Sequence, residues 1–514
     1  MSRVLSFLAA IALLAASGVG DCAIAVDADV ARAPLPGWVV RYALPEARNV
    51  RSSSGVRYLL IDDQTNLAST VPVYVRTMGY EVVSERGLTE AGRFTLSYQP
   101  LYETVQLHAV DVQRDGAWKD RLAEVDVEVL RRESDLETSI LDGRLTLHVT
   151  VPDLRVGDRV VYRYSVRGGN PVFGRYHFTR YGGSYGVAVG ERRVRYLFPA
   201  ALPLRWRVIG QPYRQHETRA GDLRTLSMVA GPVPRTLEQP DTPGWYDPTG
   251  TIEVTTARDW AEVATWGARL YPAQMDDRGL ASELTRNLRL DRRDPAGSLE
   301  RAVAFVQGDV RYMAVGLGAN SHVPYPPSIT VRRRFGDCKD KSALLVALLA
   351  EAGIESEPVL VNTVARGTVR DWFPSAAVFD HVVVRVHMPD GDTWVDATRD
   401  RERGPLTERE PVEFGVGLPL RAGSGLVEIP ALVPADPLID VQQRIRIERA
   451  GARWNGFFGV VTTYRQSAAV PIRQQFQEED ESEIGDQYLA YMHGFYDGIR
   501  ANALPRGAEE GSDG

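Results

Sequence analysis

A cysteine stands where a Gly-Asp pair leads into a strongly apolar stretch of the chain. Residues 336–342 read Gly-Asp-Cys-Lys-Asp-Lys-Ser, and residues 343–349 read Ala-Leu-Leu-Val-Ala-Leu-Leu. This pattern predicts a turn followed by a buried helix that begins at Cys338. The unpaired N–H groups and the positive end of the helix dipole favour a thiolate there, and the thiolate is the nucleophile of cysteine chemistry. Taken alone, Cys338 could equally be a small buried hydrophobic residue.

A histidine and an acid follow in two segments that predict neighbouring strands. Residues 379–386 predict a strand that opens with His381, and residues 393–398 predict a second strand after a Pro-Asp-Gly-Asp turn. In a thiol protease or acyltransferase the histidine takes the thiol proton, and the acid orients the imidazole and stabilises the imidazolium. Cys338, His381 and Asp396 occur in the order that such an enzyme requires, although a lone histidine at a strand edge is more often structural.

The identity of the acid depends on the strand register. A two-residue turn at Asp390-Gly391 would place Asp400 opposite His381, because the pairing is fixed by the loop length. A bulge or a longer turn would shift the register and bring Asp396 beside the histidine. On geometry alone, Asp396 and Asp400 both remain candidates for the third member of the site.

Residues 322–398 resemble the core of the transglutaminase-like superfamily of cysteine acyl-transfer enzymes, in its bacterial secreted branch. The matching motifs are Pro324-Tyr325-Pro326-Pro327-Ser328, Arg334-Phe335-Gly336-Asp337-Cys338-Lys339-Asp340-Lys341, Ala352-Gly353-Ile354, Pro358-Val359-Leu360-Val361-Asn362-Thr363, Asp380-His381 and Trp394-Val395-Asp396-Ala397-Thr398. The resemblance implies a papain-like α+β domain without a cofactor or a metal. It assigns Cys338 as the nucleophile, His381 as the base and Asp396 as the orienting acid.

Two positions depart from the family pattern without removing a catalytic group. Ala397 stands where the family usually has proline, and Asp380 stands where it usually has asparagine. The charge of Asp380 is expected to raise the pKa of the neighbouring histidine. For the oxyanion donor, the backbone N–H of Cys338 is the first candidate, and a side chain from the helix that ends near Gln307 or Tyr312 is the second.

Other residue patterns carry less information. His322 could line the cleft, although a satisfied surface histidine is the commoner role. His381 and His387 are the only close pair among the eight histidines, and no cluster of cysteines or acids completes a zinc set. The chain therefore predicts no metal site and no cofactor.

The N-terminus and the composition indicate a protein that leaves the cytoplasm. Residues 1–25 predict a signal peptide, with an apolar run from Val4 to Ala16 that is too short to span a membrane. Cys22 would permit a lipoprotein interpretation, which Asp21 disfavours. Cleavage after Ala25 would leave one thiol and no internal disulfide in an oxidising compartment. The formal charge of −7 argues against a nucleic-acid partner, and no later segment predicts a transmembrane helix.

Length and patterning predict several domains in the 514 residues. Residues 26–231 predict an all-β sandwich, and residues 153–166 within it resemble a β-domain of unknown function that often precedes transglutaminase-like domains in bacteria. Residues 232–250 contain five prolines and predict a stiff linker. Residues 251–431 predict the α+β transglutaminase-like domain, with helices at 258–271, 278–290 and 298–312. Residues 432–514 predict an abbreviated β-containing region with an acidic, polar tail.

These patterns predict a periplasmic or secreted cysteine enzyme that acts on an amide bond of a protein or peptide. Hydrolysis is the simpler outcome, because transfer to an amine requires a site that excludes water. The alternative is a non-catalytic periplasmic protein whose β-sandwich binds a partner while the transglutaminase-like domain serves as a vestigial scaffold. The sequence does not define the substrate or the oligomeric state.

Overall fold

The computed structural model describes residues 30–46, 50–131, 140–141, 143–237, 239–316, 318–399, 402, 406, 409, 411–431 and 436–507. The predicted signal peptide, Cys22, Asp400 and the end of the polar tail lie outside the described residues. The described part is β-rich: its strands, which form several separate sheets, outnumber its helices.

Strands dominate the chain up to residue 255. They are β1 (Ala31–Arg32), β2 (Val56–Asn66), β3 (Val73–Val82), β4 (Arg93–Tyr98), β5 (Glu103–Arg114), β6 (Ala117–Asp120), β7 (Asp126–Arg131), β8 (Ile140–Leu141), β9 (Leu145–Thr150), β10 (Arg159–Gly168), β11 (Phe178–Gly182), β12 (Val189–Pro199), β13 (Arg205–Ile209), β14 (Arg214–Ala220), β15 (Leu223–Ala230) and β16 (Thr251–Thr255). A short helix, α1 (Arg86–Gly92), precedes β4, and a 3-10 turn (Pro171–Phe173) follows β10.

All of these strands except β8, which pairs with a later strand at residues 314–315, form one large sheet and two small ones. The large sheet has the order β1-β5-β10-β3-β2-β12-β15-β14, with β6 paired to β5, and the small sheets are β4-β9-β7 and β11-β16-β13. Every second side chain of a strand points to the same face. Strands with alternating buried and less buried residues therefore turn one face of their sheet toward a second sheet. Leu96 and Leu147 of one small sheet pack with Val110 and Tyr162 of the large sheet in one buried cluster.

The strand that follows the proline-rich residues 232–250, β16, pairs with strands of the N-terminal region. All five residues of β16 are buried, and β16 pairs with β11 on one side and β13 on the other. Ile252 and Val254 of this strand share a buried cluster with Tyr196 and Phe198 of β12. The strand that follows residues 232–250 is therefore an integral part of the N-terminal sheets.

Helices and a mixed set of strands follow β16. The helices are α2 (Trp260–Ala268), α3 (Arg278–Asn287), α4 (Pro295–Gly308), α5 (Pro327–Arg333) and α6 (Cys338–Glu351). The strands are β17 (Arg311–Tyr312), β18 (Ala314–Val315), β19 (Phe335–Gly336), β20 (Ser356–Val361), β21 (His381–Met388), β22 (Gly391–Val395), β23 (Val416–Pro419) and β24 (Val427–Glu428), with 3-10 turns at Gly318–Ser321, Arg366–Asp371 and Ala376–Val378. The three helices predicted between residues 258 and 312 are present, each somewhat shorter than predicted.

Helix α6 lies in the centre of this region. It packs on β20 and β21, the inner strands of a five-stranded sheet with the order β22-β21-β20-β23-β24, and it contacts α4 and α5 as well. Leu345 and Leu348 of the helix share a buried cluster with Val303 of α4 and Val384 of β21. The apolar run after Cys338 is therefore buried on several sides, as expected of a helix without a polar face.

The C-terminal part consists of a β-ribbon and two helices. The elements are β25 (Ile439–Ala450), β26 (Arg453–Tyr464), α7 (Gln466–Glu478) and α8 (Glu481–His493). The two strands pair only with each other among the described residues. Ile445, Ile447 and Trp454 are each more than 60% exposed. No helix in the described ranges is long and apolar enough to cross a lipid bilayer.

Candidate active site

The start of α6 is fixed by a capping box. The Asp337 carboxylate accepts hydrogen bonds from the backbone N–H groups of Lys339 at 3.1 Å and Asp340 at 3.2 Å. In return, the Asp340 carboxylate accepts from the backbone N–H of Asp337 at 3.3 Å. The Lys339 ammonium pairs with Asp337, and both side chains are buried. Cys338 therefore occupies the first position of a firmly capped helix, and its side chain is partly exposed.

The other end of α6 is equally well defined. Gly353 has a φ of +70°, and its N–H donates to the carbonyl of Ala350 at 3.0 Å while the N–H of Ile354 donates to Leu349 at 2.9 Å. This pair of bonds is the Schellman arrangement, which favours glycine because of the left-handed conformation. The Lys341 side chain is fully buried, and its ammonium donates to the backbone carbonyl of Val310 at 2.6 Å. The helix that carries the thiol is thus fixed along its length.

The register of the β21–β22 hairpin determines which acid lies beside His381. Met388 pairs with Gly391, so the loop consists of residues 389–390, one position earlier than the expected turn. Extending this register by one residue beyond β22 places Asp396 diagonally across from His381 on the same face of the hairpin. The expectation that only a bulge or a longer turn would bring the two together is wrong, because a two-residue loop at a different position is sufficient.

Asp396 holds the histidine on one side. Its Oδ2 atom lies 3.0 Å from Nε2 of His381, and its Oδ1 atom accepts from the backbone N–H of Thr398 at 3.0 Å and from the Thr398 hydroxyl at 2.7 Å. Burial opposes ionisation of Asp396, but the hydrogen bond and the charge of His381 outweigh it and lower the pKa of the carboxyl to about 2. The acid is therefore an ionised, fully hydrogen-bonded carboxylate.

Cys338 contacts the histidine as well. Burial by itself lowers the pKa of His381, but hydrogen bonds with Asp396 and Cys338, and their negative charges, raise it to about 10. The Phe414 ring lies edge-on to the imidazole, with ring centroids 5.8 Å apart. Cys338, His381 and Asp396 are thus brought together, with the Asp396 carboxylate bonded to the imidazole and the thiol close enough to raise its pKa. Asp400, the other candidate acid, lies outside the described residues.

The Asp380 carboxylate binds the loop that follows β20. It accepts hydrogen bonds from the N–H of Thr363 at 2.8 Å and from the Thr363 hydroxyl at 2.9 Å. The charges that raise the pKa of His381 are those of Asp396 and Cys338. These two bonds hold Thr363, and with it the loop after β20, against the residue that precedes His381.

The two side chains considered as oxyanion donors have different surroundings. The amide nitrogen of Gln307, at the end of α4, donates to the backbone carbonyl of Asp396 at 2.9 Å and to Glu402 at 3.3 Å, so both its hydrogens are used. Gln307 therefore holds the backbone of Asp396, and the prediction of Gln307 as a candidate oxyanion donor is wrong. Tyr312 lies near the thiol, because β17 pairs with β19 directly before α6. Burial and the charge of Cys338 raise the pKa of Tyr312.

His322 is partly buried beside an aromatic group, which contradicts the expected surface position. Its Nδ1 atom lies 2.8 Å from the Ser321 hydroxyl, and its ring packs edge-on against Phe173 at 4.8 Å between centroids. Burial, and then the charge of Lys339, lowers the pKa of His322 to about 4. Sequence reasoning missed Phe173, which lies 165 residues before Cys338, because no local pattern connects the two segments.

His387 belongs to a separate set of contacts. Its Nδ1 atom lies 2.7 Å from Oδ1 of Asp392, six residues along β21 from His381, and its Nε2 atom lies 3.7 Å from Glu357. Within the described ranges, no group of three or more histidine, cysteine or acidic side chains is arranged to hold a metal ion.

Comparison with known families identifies the N-terminal region. Residues 73–236 match a family described as a domain of unknown function with a solved structure, DUF3857. The prediction of a β-domain of unknown function before the cysteine-containing region is confirmed over this range. No curated protein matches the chain.

The fold is similar to that of a solved structure over most of the chain. A "putative protease" from Parabacteroides distasonis ATCC 8503 is 16% identical, with a TM-score of 0.57, and the match covers 74% of this chain and 72% of that protein. At this identity the likeness concerns the fold alone. A carbohydrate-binding domain with flanking linkers from a scaffoldin of Clostridium thermocellum, 11% identical over 24% of this chain and 72% of its own, has a TM-score of 0.16 and carries no argument.

Proposed function

We propose that this chain is a secreted, transglutaminase-like cysteine enzyme that cleaves or transfers acyl groups at amide bonds of a protein or peptide. The observation that carries the proposal is the position of His381, whose Nε2 atom lies 3.0 Å from Oδ2 of Asp396 and which is close enough to Cys338 for the thiol to raise its pKa. The thiol at a capped helix N-terminus supports the role of Cys338 as the nucleophile. The similarity in fold to a protein named a protease is compatible with this chemistry.

The charge state of the histidine supports a reactive resting form. With its pKa raised to about 10, His381 carries a proton at neutral pH, which fits an ion pair between an imidazolium and the Cys338 thiolate. Asp396 keeps the ring oriented and balances its charge, because an ionised carboxylate lies against Nε2. Nucleophile, proton carrier and orienting acid are then Cys338, His381 and Asp396.

The proposed reaction proceeds through an acyl-enzyme. The Cys338 sulfur attacks the amide carbonyl and forms a C–S bond, and the C–N bond breaks as His381 gives its proton to the leaving amine. Water then attacks the thioester while His381 accepts one of its protons. The products are a carboxylic acid and the regenerated thiolate–imidazolium pair. An amine in place of water would give a new amide, which is acyl transfer.

Two groups are proposed to stabilise the oxyanion. The capping box takes the backbone N–H groups of Lys339 and Asp340. The N–H of Cys338 is not one of its donors, and we assign it as the first donor to the oxyanion. The Tyr312 side chain is the second donor, because β17 pairs with β19 directly before α6 and brings Tyr312 near Cys338, and its hydroxyl is protonated at neutral pH. Removing one such donor typically costs about 10²–10³ in rate.

Alkylation kinetics test the proposed ion pair directly. Iodoacetamide should modify Cys338 of the purified protein readily at pH 6, since the imidazolium holds a thiolate, and peptide mapping identifies the modified residue. His381→Gln should slow this reaction at least about tenfold at pH 6. His387→Gln is the matched control, because His387 is on the same strand but bonds to Asp392 and not to the thiol.

Turnover then separates the enzyme from a scaffold. Incubation with a defined peptide mixture should release new carboxyl termini if hydrolysis prevails, or form new isopeptide bonds if acyl transfer prevails, and neither product should appear with Cys338→Ser. A parent protein whose Cys338 is unreactive below pH 8, with no product from any peptide, would support the non-catalytic alternative.

A further inference from the structure

A group of partly buried aromatic side chains lies beside the thiol, and part of it comes from the N-terminal β-rich region. Cys338 packs against a buried cluster that includes Val263 of α2, Val382 of β21 and Leu418 of β23. Seven aromatic side chains pack against the same cluster and keep some exposed surface: Phe173, Tyr176, Phe178, Trp260, Trp266, Tyr271 and Phe379. The first three belong to residues 170–178, which we call the aromatic segment.

The aromatic segment is attached to α2. The indole Nε1 of Trp266 donates to the backbone carbonyl of Val172 at 2.8 Å. The ring of Phe173 stacks on Trp266, with centroids 5.6 Å apart and an interplanar angle of 27°. Phe178 packs edge-on against Phe173 at 5.8 Å. Offset stacking and edge-on contacts of this kind are the favourable arrangements of aromatic rings, so the segment has a defined position.

The aromatic segment is also attached to the loop that precedes α5 and α6. The side-chain amide of Asn170 donates to the Ser321 hydroxyl at 2.7 Å, and that hydroxyl lies 2.8 Å from Nδ1 of His322. The His322 ring in turn lies 4.8 Å from the ring of Phe173. A chain of contacts therefore runs from the N-terminal β-rich region to the loop beside the thiol.

Two titratable side chains of this surface are uncharged at neutral pH. The charge of Cys338 contributes to the raised pKa of Tyr271, and the charge of Lys339, the next residue, contributes to the lowered pKa of His322. Both shifts have burial as their largest cause, and both keep these groups uncharged at neutral pH. The aromatic surface beside the thiol is therefore apolar and without net charge.

Glu262, an acid at the edge of this surface, is shared between two exposed arginines. Arg175, within the aromatic segment, lies 3.1 Å from Glu262 of α2, which also accepts from the Tyr176 hydroxyl at 3.2 Å. Arg258 is a further partner of Glu262. A charged substrate side chain buried against the rings themselves would lose its hydration, which is unfavourable.

We propose that the aromatic segment forms one wall of the catalytic cleft, and that Phe173 selects peptide substrates with an aromatic or branched aliphatic side chain at the residue whose carbonyl Cys338 attacks. The inference rests on the proposed function and gives the DUF3857-type region a part in substrate recognition. An apolar side chain buried against such a surface is typically favoured over a smaller one by about 10- to 200-fold. Phe173 is thus a specificity residue contributed from outside the helix-and-strand region that holds the thiol.

Covalent probes test this without a known substrate. Three peptidyl chloromethyl ketones, identical except for phenylalanine, alanine or aspartate next to the reactive ketone, are compared by their second-order rate constants for modification of Cys338. The parent protein should react at least about tenfold faster with the phenylalanine probe than with the alanine probe, and most slowly with the aspartate probe. The ratio of two rates in one sample does not depend on how much of that sample is folded.

Variants assign the preference to the aromatic segment. Phe173→Ala should reduce the ratio of the phenylalanine rate to the alanine rate to below about threefold, and Phe173→Leu should retain most of it. Phe94→Ala is the matched control, since Phe94 is a partly buried ring of the same region that packs against Tyr162 and Tyr164 in a different cluster. Its ratio should equal that of the parent.

Failure of this inference can be told apart from failure of the proposed function. If iodoacetamide modifies Cys338 readily but the parent shows no preference among the probes, or Phe173→Ala keeps the parental ratio, the role of the aromatic segment is refuted while the nucleophile stands. If neither iodoacetamide nor any probe modifies Cys338, the proposed function is refuted, and the inference with it.

Discussion

Asp396 reaches His381 from a position that is not opposite it in the β-ladder. The Oδ2–Nε2 distance is 3.0 Å, yet β22 ends at Val395, which pairs with Val384. The acid lies just beyond the last paired residue, where the backbone is released from the sheet and Thr398 can donate two hydrogen bonds to its other oxygen. This arrangement holds the carboxylate in one orientation and leaves a single oxygen for the imidazole.

We expect Asp396→Asn to lower the rate of amide turnover by about a hundredfold or more, because a neutral amide cannot balance the imidazolium. Asp392→Asn is the matched control on the same hairpin, since Asp392 bonds to Arg385 and His387 rather than to His381, and its rate should stay close to that of the parent. Both rates are measured on the same peptide under saturating conditions.

Asp400→Asn belongs in the same comparison. If Asp396 is the orienting acid, this variant should retain nearly the full rate, because a second acid would have no remaining role on the imidazole. An inactive Asp400→Asn beside an active Asp396→Asn would show that Asp400, and not Asp396, orients the imidazole of His381.

Cys338→Ser should abolish turnover while the protein remains folded, because a hydroxyl at the helix start is tolerated but is far less nucleophilic than a thiolate. Thermal unfolding and turnover are measured on the same preparation, so that loss of the fold can be told from loss of the nucleophile. Residual turnover above about one hundredth of the parental rate would contradict the role of Cys338.

The raised pKa of His381 predicts a pH dependence of stability. The pKa is about 10 in the folded protein and about 6.5 in an unfolded chain, so the folded state binds the proton more tightly. The resulting stabilisation is fully present below about pH 6.5 and is lost as the pH rises through about 10. The difference in free energy of unfolding between the parent and His381→Gln should therefore shrink over this range, by at least about 1 kcal/mol.

Urea unfolding at pH 6, 8 and 10 measures this difference. In a Cys338→Ala background the dependence should weaken, because one of the two negative charges that raise the pKa of His381 is then absent. A difference that grows from pH 6 to pH 10 would mean that the imidazole is favoured in its neutral form by the folded protein, which the proposed ion pair does not allow.

Tyr312→Phe removes the proposed second oxyanion donor and little else. We expect a decrease of about tenfold to a hundredfold in the rate of acyl-enzyme formation, with the iodoacetamide reaction unchanged, since alkylation develops no oxyanion. Parallel loss of both reactions would indicate that the hydroxyl supports the thiol or its surroundings instead, and an unchanged acylation rate would leave the Cys338 N–H as the donor in use.

Local patterns predicted much of what surrounds the thiol. The Gly-Asp turn, the polar first turn and the apolar run define α6 almost to the residue, because capping and burial are both encoded within fifteen residues. β21 begins at His381, as does the strand predicted within residues 379–386. Such elements are specified by short-range periodicity, which a single sequence displays.

Contacts between distant segments were beyond the reach of the same patterns. The Asp-Gly pair suggested a loop at residues 390–391, whereas Gly391, with a φ of +132°, is the first paired residue of β22. The sequence suggested Gln307 as a cleft side chain, but its amide donates to the backbone carbonyl of Asp396. Neither outcome follows from local propensity, because each depends on which surfaces meet in three dimensions.

The pairing of β16 between β11 and β13 limits how the protein can be divided for experiments. A fragment that begins at Thr251 would contain this buried strand without either neighbour. The complementary fragment, ending before it, would expose the unpaired edges of β11 and β13, and such edges readily recruit strands from other molecules. Fragments divided after β16, between residues 256 and 259, should be the more soluble pair, so the useful point of division lies beyond the prolines.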